Sequence, residues 1–136
     1  MNRIRQATPA DREAVVSIWS ACDLVKPQND PFTDFDLALQ TANSTVLVLE
    51  DENELVGAVV VGFDGHRSWF YYLGVKPEFR HLGYGSQLIE ALEIWSKEQG
   101  APKTMLMVRN SNATVIEFYK KLGYLVEETS VMGKRL

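Results

Sequence analysis

Hydrophobic positions along this chain switch between two periods. Val15, Ile18, Trp19 and Cys22 stand at i, i+3, i+4 and i+7, which lines one face of a helix. Its start signal lies just upstream in Thr8-Pro9-Ala10-Asp11: Thr8 suits the cap, Pro9 the first helical position, and Asp11 completes a variant capping box. Cys22 thus reads as a packing residue before a nucleophile. Residues 2–7, with Ile4 between charged neighbours, predict a short edge strand. From Asp23 to Asp34 the pattern breaks at Pro27, Asn29-Asp30-Pro31 and Thr33, and a second short helix is predicted over 34–41, capped by Thr33 and burying Phe35, Leu37 or Leu39. The carboxylates of this loop, Asp23, Asp30 and Asp34, read as turn and cap residues, with attraction of an amine as the alternative.

The period then falls to that of strands. Strands are predicted at 45–50, 54–63 and 68–75, joined by turns at Asp51-Glu52-Asn53 and Asp64-Gly65-His66-Arg67, an antiparallel meander. The second and third are nearly continuous apolar runs, as expected for strands buried on both faces. His66 falls at an exposed hairpin tip. In the aromatic run Trp69-Phe70-Tyr71-Tyr72 successive side chains alternate sides, so the four cannot form one patch and at least two are expected in the core.

A longer helix is predicted over 83–99, with Leu88, Leu92 and Trp95 on one face, Ile89 flanking and Gly100 as its stop. A strand over 104–109 completes a crossover unit with two parallel, right-handed neighbours. A last helix over 112–122 ends at Gly123, and short strands at 125–128 and 131–134 close the chain. The sum is one mixed sheet of about seven strands flanked by about four helices. No repeat, linker or low-complexity segment interrupts it, so residues 1–136 are read as a single domain.

Composition narrows the function classes. A chain of 136 residues with 46% hydrophobic and 24% charged positions is that of a globular domain with one core. The net charge of −4 argues against a nucleic-acid binder held by phosphate contacts and is compatible with a cationic substrate. The single cysteine has no partner for an internal disulfide and no metal-ligand companions, so no metal is expected and a reducing cytoplasm is the default. No export signal and no apolar run long enough for a membrane span is read in the sequence.

The chemistry concentrates in Leu73-Gly74-Val75-Lys76-Pro77-Glu78-Phe79-Arg80-His81-Leu82-Gly83-Tyr84-Gly85-Ser86. It reads as a strand end, a turn, a glycine loop and a helix start, where backbone N–H groups and the helix dipole favour an anion such as a pyrophosphate. No Lys-Ser or Lys-Thr follows a G-x-x-x-x-G spacing, so it is not a nucleotide P-loop, and Leu88 breaks the dinucleotide pattern G-x-G-x-x-G. A glycine-rich turn without a ligand is the alternative on this segment alone. A second block runs Arg109-Asn110-Ser111-Asn112 through Tyr119 to Gly123-Tyr124; Asn112 and Tyr119 are nearly two helical turns apart and share a helix face. Read alone, Asn112 is equally a helix cap and Tyr119 equally a core tyrosine.

Arg80-x-x-Gly83-x-Gly85 resembles the Q/R-x-x-G-x-G/A coenzyme A loop of the GNAT superfamily of N-acetyltransferases, and the second block resembles the family's asparagine, its tyrosine seven residues later, and its G-F or G-Y pair. The chain is most similar within it to the bacterial YpeA-type acetyltransferases, with the ribosomal-protein alanine acetyltransferases more distant. The resemblance implies a GNAT fold and acetyl-CoA as co-substrate in a splay between the strands ending at Val75 and Arg109. By motif position, Leu73, Gly74 and Val75 contact the pantetheine arm and acetyl carbonyl through backbone groups. Arg80, His81, Leu82, Gly83, Tyr84, Gly85 and Ser86 hold the pyrophosphate, Asn112 bonds the pantetheine chain, and Tyr119 lies near the sulfur as general acid.

The implied reaction is direct attack of a primary amine, on a small molecule, peptide or protein, on the thioester. One departure matters: the alanine acetyltransferase relatives carry a basic glutamate where this chain has Met107. No base carries over; Tyr71, Tyr72, Glu78, His81, a water chain or an amine arriving neutral all stay open. A non-catalytic acyl-CoA binding or sensing module is the alternative function. A final exposed strand would offer an edge for pairing with a second copy, a homodimer.

Overall fold

A computed structural model describes residues 1–136. The chain divides into two compact units, Met1–Leu106 and Met107–Leu136. The first carries a five-stranded sheet in the order β1 (Asn2–Gln6), β2 (Ser44–Asp51), β3 (Glu54–Phe63), β4 (Ser68–Val75), β5 (Thr104–Met105). The first four strands pair antiparallel, and β5 runs parallel to β4 through the crossover helix α3 (Tyr84–Gln99). The fold is therefore the expected mixed α/β sheet with four helices, but with five strands in place of seven.

Both faces are covered. Helices α1 (Arg12–Ala21) and α2 (Pro31–Gln40) pack Val15, Val16, Trp19, Phe35 and Ala38 onto Val46, Val48 and Ala58. On the other face α3 buries Leu88, Ile89, Leu92 and Trp95, with Leu88 close over Gly57. A buried hydroxyl pair, Ser68 Oγ to Ser96 Oγ at 2.6 Å, ties α3 to β4. The faces anticipated for α1 and α3 from the 3.6-residue period are the ones buried, because that period gives each a single apolar stripe; in α2 Phe35 is buried with Ala38, while Leu37 is 56% exposed.

Four expectations are corrected. Helix α2 begins at Pro31, not at Asp34, because Asp30 is the cap: its Oδ1 accepts from Phe32 N at 3.0 Å and Thr33 N at 3.5 Å, and Pro31 takes the first helical position. Strand β5 stops at Met105, short of Arg109, where its pairing with β4 ends. The strands expected at 125–128 and 131–134 are absent; Leu125, Val126, Val131 and Met132 are each at least 68% exposed, and such short segments hold no strand without a ladder partner or a buried face. With them goes the edge on which pairing with a second copy was expected. Finally, β4 is not buried on both faces: Ser68 and Phe70 point into the core while Tyr71, on the alternate side, is 45% exposed.

In the second unit, α4 (Ala113–Lys121) follows Asn112, and Gly123 ends it in the left-handed region at φ 95°.

Candidate active site

The end of β4 is shaped by a bulge. Ala58 pairs with Gly74 and Val60 with Tyr71, so Val59 alone faces both Tyr72 and Leu73. Tyr72 takes φ +58°, which costs a side-chain-bearing residue about 1–2 kcal/mol. Two contacts hold it there. Its ring stacks on Trp19 at 4.3 Å between centroids, and its hydroxyl donates to Asp34 Oδ2 at 2.6 Å. Burial first, then the Asp34 bond, push the phenol well above its usual range, so Tyr72 is a neutral brace and not a base. Asp30 caps α2 and Asp23 lies in a turn, paired with Lys26 at 3.6 Å, so the turn-and-cap reading stands for these two; Asp34 departs from it, lying inside α2 and accepting the Tyr72 hydroxyl.

Gly74 serves packing. A Cβ there would lie 3.0 Å from Cys22 Sγ and 3.2 Å from Leu24 Cδ1, and the Cys22 thiol donates to Val75 O at 3.2 Å. The absence of a side chain lets the end of α1 close on β4, which fixes where Leu73, Gly74 and Val75 lie. Parallel pairing stops at Trp69–Met105, and β4 runs on to Val75 with β3 as its ladder partner.

Beyond Val75 the chain makes a 3-10 turn over Pro77–Phe79 and enters the loop. Arg80 is exposed, and its Nε donates to Val75 O at 3.2 Å. His81 and Gly83 take φ +64° and +84°, and Leu82 between them is 57% exposed. Around Gly83 nothing lies within 4 Å of where a Cβ would sit. The first helical bond of α3 runs from Gln87 N to Gly83 O, so the N–H groups of Tyr84, Gly85 and Ser86 precede the helical ladder. This is an open cradle of backbone donors at the positive end of a sixteen-residue helix, and a pyrophosphate fits it. Tyr84 joins through its backbone only, since its hydroxyl donates to Asp51 Oδ2 at 2.6 Å and pins the loop to β2.

In the second unit Asn112 is the N-cap of α4, its Oδ1 accepting from Val115 N at 3.4 Å. Tyr119 sits edge-on between Phe118 and Tyr124, at 5.1 and 5.8 Å, and burial pushes its phenol up to about 12. It therefore carries its proton throughout the neutral range. Met107 is half exposed, and Glu78 and His81 are exposed loop residues. Sequence reading missed the bulge and its brace; the only sequence signal was the aromatic run, and nothing in it links Tyr72 to Trp19 or Asp34.

Residues 12–124 match the acetyltransferase (GNAT) family, and the chain belongs to it. It is 43% identical over 133 residues to an acetyltransferase of Yersinia enterocolitica, covering 98% of this chain and 94% of that one. It is 45% identical over 126 residues to an acetyltransferase of Pectobacterium atrosepticum, covering 93% and 89%. Among solved structures, an aminoglycoside N-acetyltransferase in complex with CoA matches with a TM-score of 0.85 at 17% identity, covering 99% of this chain and 95% of that one. The fold is thus the GNAT fold and the protein an acetyltransferase, as the loop motif implied.

Proposed function

We propose that residues 1–136 act as one acetyltransferase domain that moves the acetyl group of acetyl-CoA to a primary amine by direct attack, in the manner of the YpeA-type enzymes. The observation that carries this reading is the open cradle of Tyr84, Gly85 and Ser86 N–H groups behind Gly83, continuous with the bulged end of β4. Arg80 to Ser86 hold the pyrophosphate. Leu73, Gly74 and Val75 align the pantetheine arm and the acetyl carbonyl through backbone groups, and Asn112 bonds the pantetheine chain.

The amine attacks neutral, and negative charge grows on the thioester oxygen as the new C–N bond forms. A backbone N–H of the Leu73–Val75 segment, aimed by the bulge, stabilises that charge. The C–S bond breaks, and Tyr119 gives the sulfur its proton or a hydrogen bond. The nitrogen sheds one proton as the amide forms, and that proton, relayed through water, restores the Tyr119 phenol, so an amine that arrives neutral needs no separate base. Titration calorimetry with acetyl-CoA, followed by thiol release on adding amines, tests the reading: binding with release supports transfer, and binding without release to any amine would leave a sensor. Absence of binding refutes the assignment of the loop. We place the reaction in the cytoplasm, the reducing compartment that a single unpaired cysteine, Cys22, favours.

A further inference from the structure

On the α2 side of the sheet, next to the bulge, lies a shallow cleft of about 430 Å³ that the coenzyme does not explain. Its origin is a missing side chain. Ser44, Gly62 and Trp69 form one row across β2, β3 and β4, so Gly62 leaves a hollow between two walls, and the neighbouring pair Val60–Tyr71 continues it toward the bulge. Phe63 adds apolar lining, and Asp64 stands at the far end. Asp64 uses only Oδ1 for its turn, accepting from His66 N and Arg67 N at 2.8 Å each, which leaves Oδ2 outside the turn. Those two N–H bonds hold its carboxyl below the usual range, so the cleft ends in a fixed negative charge.

Distance along β4 ties the cleft to the chemistry. Tyr71 is two residues and Trp69 four residues before Leu73, which at about 3.3 Å per residue puts them roughly 7 and 13 Å from the acetyl position proposed above. A molecule with its amine at Leu73 would lay its body between Trp69 and Tyr71 and bring its far end near Asp64. Thr41, Asn43 and Ser44 offer polar groups along one side, but against Val60, Phe63, Trp69 and Tyr71 the several hydroxyls of a sugar would be only partly satisfied, so a sugar-like acceptor gains less than an apolar one. A cation gains from the aromatic faces and from the carboxylate together.

We infer that this cleft is the acceptor pocket, and that it takes a primary amine on an aromatic or aliphatic body whose second, cationic end is held at Asp64. The inference rests on the transferase reading, and the test separates the two. Acetyl-CoA affinity is measured first by calorimetry. Thiol release and saturation-transfer NMR on the CoA-loaded protein are then compared for 1,10-diaminodecane, whose extended chain is long enough to pass Tyr71 and Trp69 toward Asp64, for decylamine, which lacks the second cation, and for glucosamine. The expected KM is lowest for the diamine and highest for glucosamine, with saturation reaching the diamine methylenes. Gly62→Val, which fills the hollow at a position where a Cβ meets only ordinary contacts of 3.6–3.7 Å, should raise the diamine KM at least tenfold and leave the acetyl-CoA dissociation constant unchanged. Asp64→Asn keeps the Oδ1 acceptor and should raise the diamine KM about tenfold while sparing decylamine. Glucosamine as the preferred acceptor, or both variants kinetically silent, overturns the pocket. Loss of acetyl-CoA binding in the unmodified protein overturns the transferase reading instead. Diamine saturation abolished by Gly62→Val, without thiol release, supports the pocket and counts against turnover.

Discussion

Removing the Tyr72 hydroxyl should loosen the strand end on which the chemistry is built. The bond to Asp34 is a phenol donating to a carboxylate at 2.6 Å, a charge-assisted hydrogen bond of the kind that contributes about 1.5–3 kcal/mol. Asp34 is only half buried, so water replaces part of the loss, and we expect Tyr72→Phe to cost about 1–2 kcal/mol. For a chain of this length that lowers Tm by roughly 4–8 °C. The stack on Trp19 survives the substitution, so the bulge slackens without collapsing. Turnover should fall about tenfold as the Leu73 amide loses its aim, equivalent to about 1.4 kcal/mol of transition-state stabilisation. Tyr72→Gly gives the opposing case: relief at φ +58° returns about 1–2 kcal/mol, but loss of a stacked core aromatic costs about 3–5 kcal/mol, so it too is destabilised. The assay is a double-mutant cycle of Tyr72→Phe with Asp34→Asn, read by urea unfolding and by thiol release. A coupling of about 1 kcal/mol or more is expected; one below about 0.3 kcal/mol would refute the brace.

Other substitutions test separate parts of the molecule. Tyr119→Phe should lower kcat by about 10²–10⁴-fold with little change in acetyl-CoA affinity, and equal turnover would remove Tyr119 from the reaction. Gly83→Ala forces a side chain to φ +84° and should cost about 1–2 kcal/mol of stability while weakening acetyl-CoA, both measurable by melting with and without ligand. Asp11 is held at about 2 by its hydrogen bonds from Arg5, against an ordinary 3.8. A depressed carboxyl stabilises the fold above its unfolded value, and that contribution is lost as pH falls from about 4 toward 2. Asp11→Asn should therefore be about 1–2 kcal/mol less stable at neutral pH, after allowance for partial exposure, and the gap should close in melts taken toward pH 2.

Local chemistry alone determined the parts of this protein that depend on neighbours in sequence. The helix faces followed from apolar spacing, the β3 and β4 hairpin from Asp64-Gly65 between two strands, and the cradle from Gly83 preceding a helix start. Each is decided within about one or two turns of chain, so residue identity suffices. The same locality made Arg80-x-x-Gly83-x-Gly85 recognisable, and with it the family.

What lay beyond that range was decided by tertiary packing. Nothing near Tyr72 specifies its positive φ; Trp19 on α1 and Asp34 on α2 do, by stack and hydrogen bond. That Gly74 can carry no side chain is decided by Cys22 and Leu24, which press on it from the end of α1. Apolar alternation after Gly123 predicted strands, yet a strand exists only where a partner supplies a ladder, and there none forms. The cleft at Gly62 is likewise invisible in sequence, since a gap between Ser44 and Trp69 arises only once the register of β2, β3 and β4 places all three residues in one row.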